Sequence, residues 1–547
     1  MGSPFSTHSV TNQPPPLVEF DAFAADRALG EAVGREGAGW AAADLTALGA
    51  LAGSDEALGW GRAANASPPV LRTHDRYGNR VDVVEYHPAY HELMRTAIAH
   101  GLHAAPWADS RPGAHVARCA KTLLWYQVDA GHTCPISMTY SVVPALRKQP
   151  ELAAEWEPRL VSRTYDGANR PAAEKAGNTC GMAMTEKQGG SDVRANTTTA
   201  APTGDDGEHL LTGHKWFCSA PMSDAFLMLA QAPGGLSCFL VPRWRPDGTK
   251  NPIHLQRLKD KLGDRSNASS EIELLDTWGT LVGEEGRGVP TIIEMVNHTR
   301  LDCVLGSTAV MRQGVVQATW HAHHRAAFGK VLDEQPLMAN VLADLCLESE
   351  AATVSAMRLA RAFDADEGDE HEQHLKRLAT PVVKYWTCKR APTHAAEALE
   401  CLGGAGYVEE SDLPRLFRQS PLNGIWEGSG NVICLDVLRA MMRAPESLDA
   451  YWDEVRAAES GDARLATAID DLAKMLADVD QIETRARRLV ERMALVFQAS
   501  LLVRDAPPEV ADAFCASRLA GDHGRAFGTL GTRAELTAIV DRHRPER

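Results

Sequence analysis

The stretch Met182-Ala183-Met184-Thr185-Glu186-Lys187-Gln188-Gly189-Gly190-Ser191-Asp192 stands where the 547-residue chain changes texture. Before it, from about 21 to 180, Ala- and Leu-rich runs carry a helical period, with Tyr90, Leu93, Met94 and Ile98 near helical spacing. After it, short apolar runs at 225–229 and 238–241 are separated by turns, Pro233-Gly234-Gly235 being the clearest. Gly204-Asp205-Asp206-Gly207 reads as a hairpin connection. Such a segment predicts a compact antiparallel barrel or sandwich. The helical period returns from about 286 with Ile292, Ile293, Met295 and Val296, and the section from about 446 is again rich in Ala and Leu. Strands and helices do not alternate, so a parallel nucleotide-binding sheet does not fit. The expected organisation is an N-terminal arm and helical domain over 1–180, a central β-barrel domain over 181–285, a helical bundle over 286–445 and a helical extension over 446–547. The fold class is mainly α with a central antiparallel β-barrel. Residues 1 to about 20, with Asn12-Gln13-Pro14-Pro15-Pro16, read as a floppy tail or as an arm packed on a neighbouring subunit.

Apolar residues at 44% and charged residues at 23% describe a soluble, folded chain. No apolar run reaches the roughly 18 residues needed to span a bilayer. The start of the chain lacks a basic-then-apolar leader, so a cytoplasmic location is expected. With 72 acidic against 56 basic residues and a net charge of −16, nucleic acid or anionic lipid would have to bind through a local patch. Eleven cysteines without a C-x-x-C pair read as reduced thiols. His321 and His324 share a helical face with His323 beside them, but nothing completes a ligand set, so no metal is expected.

Three constellations bear on chemistry. In the opening stretch Gly189 and Gly190 allow backbone amides to approach an anion, and Thr185 and Ser191 offer hydroxyl donors; alone, Gly-Gly-Ser-Asp is a turn. Gly213-His214-Lys215-Trp216-Phe217-Cys218-Ser219 reads by itself as a strand with an aromatic core pair. In Asn423-Gly424-Ile425-Trp426-Glu427-Gly428-Ser429-Gly430-Asn431 the carboxylate of Glu427 has an apolar wall and little charge compensation. If buried, its pKa rises, which suits a base removing a weakly acidic C–H proton; if exposed, it is a solvated loop before a helix. Gly403-Gly404-Ala405-Gly406-Tyr407 lacks the dinucleotide spacing and follows no strand.

Taken in order, these pieces resemble the acyl-CoA dehydrogenase superfamily. They run from Met184-Thr185-Glu186 and Gly190-Ser191-Asp192 to Gly213-His214-Lys215-Trp216, then Asp260-Lys261-Leu262-Gly263-Asp264-Arg265-Ser266. Arg325-Ala326-Ala327-Phe328-Gly329, Gly403-Gly404-Ala405-Gly406-Tyr407 and Trp426-Glu427-Gly428-Ser429 follow. The long N-terminal part and the added C-terminal section resemble the AidB-like, adaptive-response branch. The resemblance implies an acyl-CoA dehydrogenase-like fold plus a C-terminal helical extension. It implies non-covalent FAD and a homotetramer in which neighbouring chains complete each flavin site. Met182, Met184, Thr185, Gly189, Gly190 and Ser191 would lie along the ring and pyrophosphate, Thr185 bonding the ring and Ser191 a phosphate. Trp216, Phe217, Cys218 and Ser219 would form the wall beside the ring, and Ile425, Trp426, Gly428, Ser429, Gly430 and Asn431 would close over it. Arg325 and Phe328 would serve the adenosine half from the adjacent subunit, with Gly403 and Gly404 as further cofactor-binding positions. Glu427 would be the catalytic base, taking the proton α to a thioester as hydride leaves the β-carbon for the flavin. Asn297 stands where an aspartate linked to acyl-CoA binding is common, Glu400 stands where Gln often precedes the glycines, and Trp426 narrows the acyl channel. Weak dehydrogenase activity, or a substrate other than a common fatty acyl-CoA, is therefore expected.

The same resemblance implies double-stranded DNA binding through the extension and protection of DNA from alkylation. The extension is acidic over 446–547 and turns slightly basic only from 481 onward. Arg485, Arg488 and Arg492 share a helical face, and Arg542, Arg544 and Arg547 cluster at the end, but Glu483 and Glu491 interleave with the first group. Binding would be sequence-tolerant and salt-sensitive. The alternatives are an ordinary acyl-CoA dehydrogenase or oxidase without DNA binding, and a non-catalytic flavin-containing DNA-binding protein.

Overall fold

The computed structural model describes residues 7–205 and 207–546. Contacts part the chain into two units. The first holds Glu56–Gly306 and Ile425–Val432; the second holds Met1–Asp55, Ser307–Gly424 and Ile433–Arg547.

The first unit is built on a barrel. A hairpin of β1 (Val70–His74) and β2 (Arg80–Glu85) precedes it. The barrel sheet holds β3 (Cys180–Ala183), β4 (Thr199–Pro202), β5 (Glu208–Ser219), β6 (Ala225–Ala232), β7 (Gly235–Pro242), β8 (Ile253–Leu258) and β9 (Ser269–Val282). The order β6-β4-β5-β9-β7 closes on itself through β6–β7 pairing, while β3 adds to β6 and β8 to β9. The expectation of an antiparallel barrel needs correction, because the pairing is mixed. β3 runs parallel to β6 through four residue pairs, and β4 meets β6 in parallel at Thr199 and Gln231. The reason is connectivity: residues between β3 and β4 form a crossing loop rather than a hairpin, so both strands flank β6 in its own direction. The turn at 203–207 does join antiparallel β4 and β5; Asp206 lies outside the described residues.

β6 and β7 show no hydrophobic alternation because both of their faces are buried. Leu227, Leu229, Cys238 and Leu240 join an outer cluster, and Phe226, Met228, Phe239 and Val241 fill the barrel interior. The outer cluster is completed by Val142, Val143 and Leu146 of helix Thr133–Leu146, by Trp156 and Leu160 of helix Pro150–Leu160, and by Ile292 and Met295. The Cys180 amide donates to Thr139 Oγ1 at 3.1 Å, pinning β3 to the first of these helices.

The second unit is helical. Helices Pro336–Asp364, Glu370–Cys401, Ile482–Asp505 and Leu536–His543 form its centre. Their interior carries charge. Arg358 bonds Glu372 at 2.7 Å and Glu454 at 2.6 Å, Arg518 bonds Asp344 and Glu348, and His543 bonds Glu350 at 2.8 Å. The arm packs on its own chain: Trp320 Nε1 donates to the Pro15 carbonyl at 2.8 Å, the Ala326 amide to Asn12 Oδ1 at 2.7 Å, and Leu17 joins Val316 and Trp320.

Several basic residues of the extension are engaged in ion pairs, most of them with residues outside it. Arg485 pairs with Asp478 at 3.1 Å, Arg492 is half-buried, Arg542 pairs with Glu31 and Glu350, and Arg544 with Asp333 and Asp541. Arg488 is exposed; Arg547 lies outside the described residues. Among the described residues no helix is long and apolar enough to cross a membrane.

Candidate functional site

The loop after β3 is fixed from beneath. Glu186 is wholly buried, and its carboxylate accepts from the Thr197 amide at 2.7 Å, the Thr198 amide at 3.1 Å and Lys215 Nζ at 2.9 Å. Burial alone would raise its pKa; the Thr197 and Thr198 donors and the Lys215 ammonium outweigh that and hold it down at about 2. Around this anchor the Thr185 carbonyl accepts from the Trp216 amide at 2.8 Å, His214 Nε2 from the Lys187 amide at 3.0 Å, and the Met184 carbonyl from Asn196 Nδ2 at 2.8 Å. A Cβ at Gly190 would lie 2.5 Å from Thr185 Oγ1, so only glycine lets the loop fold back on that hydroxyl. Gly189 turns at φ +135° beneath open space, and Gly190 and Ser191 are exposed. Glu186, Asn196, Thr197, Thr198 and Lys215 were not singled out by spacing as site residues; the spelling Thr-Glu-Lys gives no sign that its acid faces inward.

A wall stands beside the loop. Met182 and Met184 are half-buried against the outer cluster, and Trp426 packs on that same cluster, which brings together residues some 240 positions apart. Trp216 is half-buried with Lys259 Nζ 3.2 Å from its ring centroid, and Phe217 is exposed and edge-on to it. Ser219 Oγ is 3.1 Å from Ser269 Oγ. Cys218 differs from its neighbours: its side chain points into the barrel interior, and burial pushes its thiol up to about 12. Any part it takes in a surface site belongs to its backbone.

Glu427 sits on a turn with φ +58°, followed by Gly428 at φ +106°. Ile425 is exposed, Glu427, Gly428 and Ser429 are half-buried, and Gly430 and Asn431 open helix Gly430–Arg443. Thr299 Oγ1 lies 2.8 Å from Glu427 Oε2 as its donor, and buried Arg300 donates from Nε to the Glu427 carbonyl at 3.1 Å. One hydroxyl and one guanidinium therefore hold the carboxylate and its backbone together. Nearby, the Cys134 thiol is pushed up to about 12, by burial first and then by the charges of Asp264 and Glu427. The Asp260 to Ser266 motif ties the barrel to this region, since Ser266 Oγ donates to Asp129 at 2.8 Å and Asp264 is raised to about 7 by burial.

Arg325, Phe328, Gly403 and Gly404 belong to the helical unit. Arg325 donates to the Asn12 carbonyl at 2.6 Å, beside a short hairpin of Ala326–Ala327 and Lys330–Val331 whose turn holds Phe328, fully exposed at φ +52°. Gly403 and Gly404 are exposed, Gly403 at φ +58°. The barrel-unit set fits a flat heteroaromatic ring: two thioethers and an indole form an apolar wall, Thr185 puts a hydroxyl at its edge, and exposed glycine backbone suits a phosphate chain.

Residues 12–167 match the adaptive response protein AidB N-terminal domain family, 181–277 the acyl-CoA dehydrogenase middle domain and 286–442 the acyl-CoA dehydrogenase C-terminal domain. The putative acyl-CoA dehydrogenase AidB of Escherichia coli is 45% identical over 513 residues, covering 93% of this chain and 94% of that protein. Acyl-CoA dehydrogenase family member 11 of Caenorhabditis elegans is 31% identical over 84% of this chain and 80% of its own length. Among solved structures, C. elegans ACDH-11 in complex with C11-CoA matches 98% of both chains with a TM-score of 0.86 at 28% identity. An acyl-CoA dehydrogenase complexed with FAD from Bacillus anthracis, 18% identical with a TM-score of 0.62, shares the fold.

Proposed function

Because the chain belongs to the AidB branch of the acyl-CoA dehydrogenase family, whose members bind FAD, we propose that it is an FAD-dependent oxidoreductase acting on an acyl-CoA thioester, with Glu427 as its base. The observation that carries this reading is the Glu427 carboxylate held by Thr299, with Arg300 on the Glu427 carbonyl, on a positive-φ turn whose neighbour Trp426 packs on the same cluster as Met182 and Met184. Bound FAD supplies a two-electron acceptor. Met182, Met184, Trp216 and Phe217 form its wall, Thr185 and Ser191 offer hydroxyls to ring and phosphate, and the Glu186–Lys215 pair keeps their loop in place. Glu427 takes the α proton, with Thr299 orienting its carboxylate. Trp426 limits the room beside the acid, which supports a specialised substrate and slow turnover of common fatty acyl-CoAs.

Assembly as a homotetramer is part of this reading. A fully exposed phenylalanine on a positive-φ turn supports burial of Phe328 by a neighbour or its cofactor, with Arg325, Gly403 and Gly404 on the same errand. The eleven buried free thiols support a reducing, cytoplasmic setting. Duplex DNA binding and protection from alkylation draw support from exposed Arg488 alone among the described arginines expected to meet DNA, so they predict weak retention that is lost as salt rises.

Glu427→Gln tests the reading. It keeps the oxygen that accepts from Thr299 but removes the base, so the protein should remain yellow while acyl-CoA turnover falls by about 10²–10⁴-fold. Colourless variant protein, or unchanged turnover, would make Glu427 structural.

A further inference from the structure

In the barrel unit, behind the wall that Trp216 to Ser219 offer a flavin, stands a charge with no acid bonded to it. Ser219 ends β5 opposite Ser269, which opens β9, and their hydroxyls are 3.1 Å apart. Lys261 Nζ donates to Ser269 Oγ at 3.3 Å and to the Asn267 carbonyl at 2.9 Å. Two hydroxyls therefore join Lys261 to the wall. Both acceptors of the ammonium are uncharged, so neither cancels its charge. Lys261 is half-buried; burial lowers its pKa, and the charge of Asp264 is the strongest influence holding it up.

Asp264 acts on Lys261 without bonding it. The acid is 3% exposed on a turn with φ +50°, and its Oδ1 has no hydrogen-bond partner among the described residues. The neighbouring donors go to Asp129 instead: Ser266 Oγ at 2.8 Å and the His132 amide at 2.9 Å, with His132 Nδ1 at 3.1 Å. A buried carboxylate short of donors is disfavoured in its charged form. Burial accordingly raises Asp264 to about 7, Lys261 opposing the rise and Asp129 adding to it. Asp129 and His132 thus face the pair from the loop before helix Thr133–Leu146, and Cys134 from that helix. The Cys134 thiol responds to Lys261, Asp264, Glu427 and the Ser219 hydroxyl together, which puts the pair, the wall and the proposed base in one neighbourhood.

We propose that Lys261 and Asp264 set how strongly the bound flavin holds electrons: the ammonium, joined to the wall through Ser269 and Ser219, favours the more negative reduced ring, and ionised Asp264 opposes it. This rests on the flavin reading of that wall, and charge near the ring is one of the protein's means of tuning it. Because Asp264 loses its charge below neutrality, the flavin is a stronger oxidant there than its own proton uptake accounts for. The purified flavoprotein is equilibrated with a reference dye during slow reduction. Each variant is compared with the parent at one pH, which cancels the ring's own proton uptake. At pH 6 Lys261→Met should lower the ratio of reduced to oxidised flavin about tenfold at fixed dye poise, equal to about 30 mV for a two-electron couple. Lys261→Arg, which keeps the charge, should restore the parent ratio to within about threefold. Asp264→Asn should raise the ratio about three- to tenfold at pH 8 and leave it unchanged at pH 6. Opposite signs for the two substitutions are what charge requires, whereas a packing role moves both the same way. An unchanged ratio in Lys261→Met, Lys261→Arg as low as Lys261→Met, or Asp264→Asn that lowers the ratio or acts alike at both pH values would each overturn the proposal. If Lys261→Met fails to fold by circular dichroism, the sign and pH dependence of Asp264→Asn decide the matter. A parent chain that takes up no FAD would overturn the flavin reading, and this proposal with it.

Discussion

A carboxylate with no solvent contact needs its oxygens met, and Glu186 finds Thr197, Thr198 and Lys215. Removing its charge leaves the Lys215 ammonium buried among neutral groups. Glu186→Gln should therefore cost about 3–5 kcal/mol at neutral pH, read as a lower denaturation midpoint. Its folded pKa of about 2 lies below its ordinary 4.5, so the charge contributes fully above pH 4.5 and the contribution fades as pH falls toward 2. The gap between parent and variant should close over that same window; a gap that stays constant with pH would assign the loss to packing instead. Spacing gives no access to this role, because an acid between Thr185 and Lys187 looks solvated until the fold closes over it. The same holds for Thr299 and Glu427, which meet across 128 residues. The Trp-Glu-Gly-Ser spelling marks the acid as a candidate, but its hydrogen-bond partner is a product of tertiary packing.

At the level of elements, β5 shows how the barrel bends. Its pairing with β9 slips between Leu211 and Gly213 and again between Lys215 and Cys218, so the strand carries two irregularities. At the first, Gly213 passes so close to Thr198 that an added Cβ would lie 2.7 Å from its Cα and 2.5 Å from its Oγ1. Gly213→Ala should cost about 1–3 kcal/mol and loosen the Thr197–Thr198 segment that holds Glu186. Thermal unfolding of the variant, with amide exchange at Thr198, measures both; a neutral substitution would show that β4 and β5 separate without cost. The strand character of 225–229 and 238–241 was legible from short apolar runs bounded by turns. The parallel partners of β6 were not, since direction is set by a crossing loop whose polar, glycine-containing sequence is equally compatible with a hairpin. Helical stretches were the easiest to read, their period surviving wherever one face meets solvent.

For the molecule as a whole, the family was legible from six spaced motifs, whereas the interior charge was hidden by their remoteness: Arg542 reaches Glu31 across 511 positions and Glu350 across 192. A count of basic residues near the end of the chain suggests an external field; contacts turn several of them inward. This has a measurable consequence in acid. In the helical unit, Glu348 is held at about 2 because Arg390 and Arg518 outweigh its burial, and Glu350 at about 2 because His543 and Arg542 do the same. Glu186 does likewise in the barrel unit. Between pH 4.5 and 2 the unfolded chain takes up protons at these three positions while the folded chain does not. Stability therefore rises with pH across that window and is lost on descending it. Each group contributes at most about 1.4 kcal/mol per pH unit, so the three together approach about 4 kcal/mol per unit midway between their folded and unfolded pKa values. Denaturant melts at pH 5, 4 and 3, followed by far-ultraviolet circular dichroism and tryptophan fluorescence, should show this decline. Glu350→Gln should begin from lower stability and lower the slope by up to about 1.4 kcal/mol per pH unit, the contribution of one such group. A parent whose midpoint is level from pH 5 to 3 would mean that these carboxylates are already protonated in the folded chain, and the buried pairs would then not be ionic.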